Sequence, residues 1–432
     1  MKSKSIRKKI PLSAINVALG TIIMMIAGSL SQLLLSNYLS VEDFGTISAL
    51  LNSFVLGLPV AVFGLNSFWL RLNGEFKNES IPVVLKSIKV IFITTSLVSG
   101  FIIIAWAQSL GSAMIPLVSF LSLSLIVGVF SEMNSTLFQM NGNYNAFIKT
   151  QKTPHLIRLL ILLVLFLGFD LWEEPFKVAV FSICAASVLT FFYNLHAVAE
   201  IKGSGFFNVT NKFDSAILRS KYSYLKILNE TWLFALVGIL YLAWSQGHVI
   251  LAMALLGSKD AGVYAATLFV LNSICLVPST IYSKYFLPKI HRWVYHDSDK
   301  LHLHYKKSNK ILFILGLIAF SFIYFFSPYI VNIIFPSEYS DVVNYLQILA
   351  FTIPMRFMGY NSGSLLVTIQ HTHTKAAILS VVVAFNIFFI LLTYKEFELE
   401  AFAWSIVISE FFLVMAYIYT VNINFFNKKW VW

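Results

Sequence analysis

The stretch LSVEDFGTISAL (39–50) returns in loosened form as LGSKDAGVYAAT (256–267). At a shift of 217 residues Leu39 meets Leu256, Asp43 meets Asp260, Gly45 meets Gly262 and Ala49 meets Ala266. Each stretch leaves one long apolar run and passes through a polar turn into the next. It reads as a tight connection between two helices, capped by Asp, with Gly allowing the second helix its approach angle. Two copies of one hairpin far apart in the chain point to a repeated helical architecture, as in many transporters.

Outward from these turns the chain divides into apolar blocks of membrane-spanning length, roughly 20 residues each. Twelve are discernible: 12–38, 44–70, 83–107, 114–140, 155–171, 176–199, 228–256, 261–283, 310–335, 342–370, 375–394 and 401–421. The 432 residues are 58% hydrophobic and 12% charged. Soluble domains carry roughly 25% charged residues, so a water-soluble chain of this size could not cover its surface with so few. The expected fold class is an all-α integral membrane protein. The first block is longer than a signal-peptide core and is followed by no small-residue cleavage site, so it is expected to remain as a span. Cys184 and Cys275 both fall within spans and suggest neither a disulfide framework nor a thiolate metal site.

Lysine and arginine orient the spans. With a cytoplasmic N-terminus, 27 of the 31 fall in inside segments, three (Lys177, Lys259, Lys395) fall outside, and Arg356 lies within a span. The acids run oppositely: eleven outside, six inside, and Glu132, Glu230 and Glu410 in spans. Both termini are therefore expected in the cytoplasm. The net charge of +11 is this topology signal spread over seven loops, and it gives no reason to invoke nucleic acid.

No loop is long enough to fold as a domain of roughly 50 residues. That argues against a membrane polymerase or glycosyltransferase, which builds its site in a large outer loop. The inside acids do not cluster as a magnesium-dependent sugar-phosphate transferase would require. The segment HRWVYHDSDKLHLH (291–304) holds His291, His296, Asp297, Asp299, His302 and His304, but its spacing matches no zinc pattern, and it is expected to be a solvated linker. There is no nucleotide-binding glycine loop. Neither catalytic residues nor a cofactor nor a metal is expected.

The segment 200–227 divides the chain into an N-terminal six-helix bundle (1–199) and a C-terminal one (228–432). At this point the EDFG turn, the KDAGVYAA turn and FPSEYSDVVNYLQILA (335–350) resemble the polysaccharide flippases of the multidrug/oligosaccharidyl-lipid/polysaccharide exporter superfamily, above all the Wzx-type O-antigen flippases. The resemblance implies two six-helix bundles around a central cavity in the bacterial inner membrane. It implies a cargo of undecaprenyl-pyrophosphate-linked oligosaccharide, flipped to the periplasmic leaflet among membrane lipids, with the O-antigen polymerase and chain-length regulator as candidate partners. Two relatives fit less well. Cation-coupled drug exporters place an acid on the first helix, where this chain has Asn16 and Gln32, and the peptidoglycan-precursor flippases are longer.

Ionisable residues inside spans are costly, roughly 2.5–3.5 kcal/mol at a helix centre, and are functional candidates by default. Arg356, mid-span and two residues after Pro354, is the leading candidate to meet the anionic cargo; the alternative is a structural ion pair with Glu132 or Glu410. Arg158, Arg71 and Lys152 are further substrate-binding candidates at the inner ends of spans, against simple positive-inside anchoring. Glu132, beside Asn134, Gln139, Asn141 and Asn143, is a candidate ion-coupling carboxylate or a buried packing acid. Glu230 is a second coupling candidate or a partner of Lys226. Glu410, near the middle of the last span, fits a packing role better. His248, His371 and His373 could titrate near neutral pH. Trp69, Trp106, Trp172, Trp430 and Trp432 read as an interfacial belt, while Trp232, Tyr241, Trp244 and Tyr360 are candidates to stack on sugar rings.

Overall fold

A computed structural model describes residues 12–111, 114–168, 174–208, 212–286, 290, 293, 298–366 and 372–426. Lys2 to Lys9, Asp170, Trp172, Glu173, His291, His296, Asp297, His371, Lys428, Lys429, Trp430 and Trp432 lie outside the described residues.

In chain order the helices are α1 (Leu12–Tyr38), α2 (Val41–Val62), α3 (Leu65–Phe76), α4 (Ile81–Leu110), α5 (Ile115–Met140), α6 (Tyr144–Gly168), α7 (Pro175–Gly203), α8 (Lys212–Lys221), α9 (Tyr224–Leu255), α10 (Ser258–Thr280), α11 (Ser298–Ile334), α12 (Val342–Ala350), α13 (Thr352–Leu365) and α14 (Thr372–Phe425). Among the described residues there is no strand. The last element is a hairpin: backbone at Glu398 leaves the helix (φ 44, ψ −125), and Asn386 Nδ2 on one arm donates to Ser405 Oγ and Ser409 Oγ on the other at 3.2 and 3.1 Å. With α2–α3 and α12–α13 each serving as one broken span, the expected twelve spans are present.

The spans show their surroundings on their faces. Phe92, Ile93, Leu97, Phe101 and Ile104 of α4 are each more than half exposed, and Tyr329 and Ile333 of α11 are 69% and 83% exposed. In water such stripes would drive aggregation; against lipid they cost nothing. Among the described residues seven stretches are long and apolar enough to cross a membrane, and two of them, Val41–Leu110 and His373–Phe425, each contain two spans. The spans left over are α6, α10 and the α12–α13 pair. They carry Arg158, Asn272 and Arg356, and each of those residues faces an interior cavity described below.

Lipid gives helices no hydrophobic reason to associate, so close packing of small residues and hydrogen bonds must hold them. Asn134 Nδ2 on α5 donates to both the backbone and side-chain oxygens of Asn194 on α7 at 3.1 and 3.0 Å, and Asn194 donates to Ser131 Oγ at 2.8 Å. Asn361 on α13 donates to Asn309 Oδ1 on α11 at 2.6 Å. The two halves of the chain meet along α2, which packs on α10 at one end and on α9 at the other.

Several expectations are corrected. The α2 turn is capped by Ser40, whose hydroxyl accepts from the Asp43 N–H at 3.1 Å; Asp43 sits in the first turn instead, where its charge favours the helix dipole. Gly45 and Gly262 serve interhelical contact rather than an approach angle: a Cβ on Gly45 would lie 1.9 Å from the Ser258 carbonyl oxygen, and one on Gly262 2.1 Å from that of Val41. The repeated hairpins thus pack on each other, backbone against backbone. The second span is broken at Phe63–Gly64, both left-handed (φ 52 and 69). The tenth breaks at Phe351, and Pro354 lies in the first turn of α13, where its missing N–H is harmless. The histidine-rich segment is a linker only in part: from Ser298 it is already α11, with His302 packed on Phe426 and His304 on Phe286 and Trp293, ring centroids 4.7–4.9 Å apart. Trp69 and Trp106 are buried rather than interfacial, because each indole N–H has a partner inside, Ser87 Oγ at 2.7 Å and Ser53 Oγ at 3.1 Å.

Candidate functional site

Each half holds a cavity with charged side chains in its wall. In the N-terminal half α5, α6 and α7 enclose about 530 Å³ against α1 and α2, lined by Glu132, Gln151, His155, Arg158 and Thr190 among others. Glu132 and Arg158, independent candidates in the sequence, share this space. Asn66, at the start of α3, donates to Glu132 Oε2 at 3.2 Å. Arg158 Nε and Nη2 are buried with no hydrogen-bond partner. Buried donors are seldom left unmet, so this guanidinium is available to an anion. Lys152, six residues earlier, is half-buried and does not line the cavity.

In the C-terminal half α9, α10, α13 and α14 enclose about 290 Å³. Arg356 is part of its wall. Its Nε donates to Glu410 Oε2 and its Nη1 to Asn272 Oδ1, both at 3.1 Å, and its guanidinium carbon lies 5.5 Å from the Trp244 ring centroid. The side chains of Arg356 and Glu410 are 10% and 3% exposed. Trp244 is held in turn: its indole N–H reaches Ser409 Oγ at 3.4 Å, Ser409 accepts from Asn386, and Asn386 Oδ1 meets a ring nitrogen of the buried His248 at 2.7 Å. Tyr241, Tyr360 and Tyr417 line the same space, so two of the sugar-stacking candidates join Trp244 there. Trp232 is 49% exposed and does not line it.

The Arg356–Glu410 pair joins two residues 54 positions apart. It realises the ion pair weighed as the alternative for Arg356, but at a cavity wall. Sequence reasoning missed Lys375 and Asn272. Lys375 read as an ordinary inside-loop cation, yet it lines the cavity, its Nζ 6.0 Å from the Tyr417 ring centroid. Only its position, as the first residue of the 375–394 block, could have flagged it.

A third cavity, about 590 Å³, is bounded by α2, α4 and α9 from both halves. It is apolar, with Ser53 and Ser109 as its hydroxyl side chains, and offers a sugar little.

Arg71 and Glu230 form an ion pair with each other, α3 of one half to α9 of the other. Lys226, the expected partner of Glu230, lies over the Tyr222 ring instead, 5.0 Å from its centroid. The break at Phe63–Gly64 makes the Arg71–Glu230 pair possible by turning α3 onto α9: a Cβ on Gly64 would sit 2.6 Å from the Thr231 carbonyl oxygen. The pair closes the α2 seam at the lysine-rich end, as Gly45 and Gly262 close it at the other. At 36% and 26% side-chain exposure it is screened, worth about 0.2–1 kcal/mol. Arg71→Glu is therefore expected to shift the balance toward separated halves at this end only a few-fold, and Arg71→Glu with Glu230→Arg to restore it. Spin-label distances across the seam measure this. Failure of the swapped pair to recover the wild-type distribution would leave both residues without a clasping role.

No family model and no curated protein matches the chain. Solved structures do. An inward-facing multidrug resistance MATE family transporter of the MOP superfamily aligns with TM-score 0.66 at 14% identity, over 96% of this chain and 99% of that one. The lipid II flippase MurJ in an inward closed conformation aligns with TM-score 0.68 at 15% identity, over 96% and 89%. An outward-facing MATE family transporter scores lower, 0.58 at 13% identity, over 96% of each chain. The chain has the all-helical membrane fold that these MOP superfamily transporters share.

Proposed function

We propose that the chain is a flippase that carries undecaprenyl-pyrophosphate-linked O-antigen repeat units from the cytoplasmic to the periplasmic leaflet of a bacterial inner membrane. The halves 1–199 and 228–432 rock about the α2 seam and expose the cavities alternately to the two faces. Both termini are cytoplasmic, and the reaction makes and breaks no covalent bond.

One observation carries the reading. The C-terminal cavity sets two cations, Arg356 and Lys375, against one carboxylate, Glu410, between aromatic walls. An excess of positive charge beside aromatic faces suits a saccharide borne on an anionic group. The open donors of Arg158 repeat the preference in the other half. Glu132, in the same cavity as Arg158, is the proposed ion-coupling carboxylate. A drug exporter for cations would need the opposite polarity: α1 contributes Asn16, bonded to Asn145, and Gln32, bonded to Ser48, and no acid among its described side chains. The O-antigen polymerase and chain-length regulator are the proposed partners downstream.

Deletion of the gene is expected to abolish surface O-antigen and to accumulate single lipid-linked repeat units that periplasmic enzymes cannot reach. Unchanged surface polysaccharide with new sensitivity to cationic dyes would favour the drug-exporter reading instead.

A further inference from the structure

At the lysine-rich end lies a further cavity, about 330 Å³, with no part in the pathway above. It forms where three parts of the chain converge. Lys86 and Lys89 come from the first turns of α4, Arg219 from the linker helix α8, Phe207 from the segment after α7, and Tyr224 from the first residue of α9. Three of its linings are cations, and among the described residues none of the three is ion-paired to a carboxylate. The remaining walls are apolar or aromatic. Lys86 is already partly engaged: its Nζ donates to the Tyr222 carbonyl oxygen at 2.7 Å and lies 5.0 Å from the Tyr224 ring centroid. Lys89 and Arg219 are exposed and free to turn inward.

We propose that this cavity binds the phosphate of an anionic phospholipid, such as phosphatidylglycerol, from the adjoining leaflet. The charge on its own would suit any anion. The walls decide for a lipid. Leu85 and Tyr224 are 47% and 43% exposed and Leu225 beside them is 75% exposed, so the cavity adjoins the acyl-facing surface. A soluble phosphate gains nothing from that surface, whereas a phospholipid sets its headgroup against the cations and its glycerol and first methylenes against Leu85 and Tyr224. Basic pockets between spans at the cytoplasmic face are the usual seats of anionic headgroups. Because the walls belong to α4, the linker and α9, one bound lipid ties the linker to both halves beside the Arg71–Glu230 pair. Closure at this end becomes sensitive to the anionic lipid content of the leaflet.

Native mass spectrometry of the full chain tests this, with phosphatidylglycerol and phosphatidylcholine of identical acyl chains as probes. Wild type is expected to retain phosphatidylglycerol at least fivefold over phosphatidylcholine. Lys89→Ala with Arg219→Ala removes most of that preference, and Lys89→Arg with Arg219→Lys keeps it. Lys306→Ala with Lys307→Ala, cations elsewhere on the same face, leaves it unchanged. Equal retention of the two lipids by wild type, or an undiminished preference in the Lys89/Arg219 alanine pair, overturns the proposal. So does displacement of the lipid by millimolar inorganic phosphate, which would mark a soluble-anion site, or by a short prenyl pyrophosphate in preference, which would mark a cargo site.

Discussion

Arg356→Ala is expected to lose transport and most of the folded protein together. The substitution strands Glu410, whose side chain is 3% exposed, without its cation. Breaking one side of a buried pair typically costs about 3–5 kcal/mol, a large share of the roughly 5–15 kcal/mol that holds a native protein together. Loss of transport in that variant alone would therefore say nothing about cargo. The informative variant is Arg356→Met with Glu410→Met. Replacing both members of a buried pair by apolar groups of similar volume is often neutral, because the desolvation of two charges is relieved along with their attraction. The double variant should thus recover near-wild-type yield and thermal stability, while surface O-antigen stays absent. Recovery of transport to within about twofold of wild type would reduce Arg356 and Glu410 to packing and remove the central support of the flippase reading.

Gly262→Ala should be nearly as damaging through a single methyl group. The added carbon would sit 2.1 Å from the carbonyl oxygen of Val41, and Gly45→Ala meets the Ser258 carbonyl at 1.9 Å. Both obstacles are backbone, so no side chain can swing aside. Overpacking of a tight contact costs about 1–3 kcal/mol, and each 1.4 kcal/mol is about a tenfold change in population. Spin labels at Glu42→Cys and Lys259→Cys, exposed positions on the two hairpins, should report a longer distance in either alanine variant, with transport falling by at least tenfold. An unchanged distance distribution would mean that the two hairpins do not hold that end of the seam.

The acids at this end add a further load. Burial, with Glu398 and Asp341 nearby, pushes the Asp260 carboxyl above its ordinary range.

How much of this was legible beforehand depended on the kind of information each feature needs. The spans were visible because each stands in hydrocarbon, and hydrocarbon demands a contiguous apolar run whatever the neighbours do. The polar interruptions at Arg158 and Arg356 were visible for the same reason, as exceptions to that demand. The repeat of Gly45 and Gly262 was visible too, but its meaning was not: a glycine in a turn and a glycine under another helix look alike in one dimension. The tryptophans misled in the same way, since Trp69 and Trp106 near block ends become buried donors once Ser87 and Ser53 stand opposite them.

The sequence by itself determined the class of the protein, its spans and the sign of charge at each end, because these follow from the local solvent of each segment. Tertiary structure alone decided that Arg356 meets Glu410 and Asn272, that Arg71 meets Glu230 across the seam, and that Lys375 turns inward while Lys152 does not. Partners 54 to 159 residues apart are chosen by which faces two helices present to one another. That choice depends on crossing geometry and on small residues such as Gly64, Gly262 and Gly359, which no single stretch of chain contains.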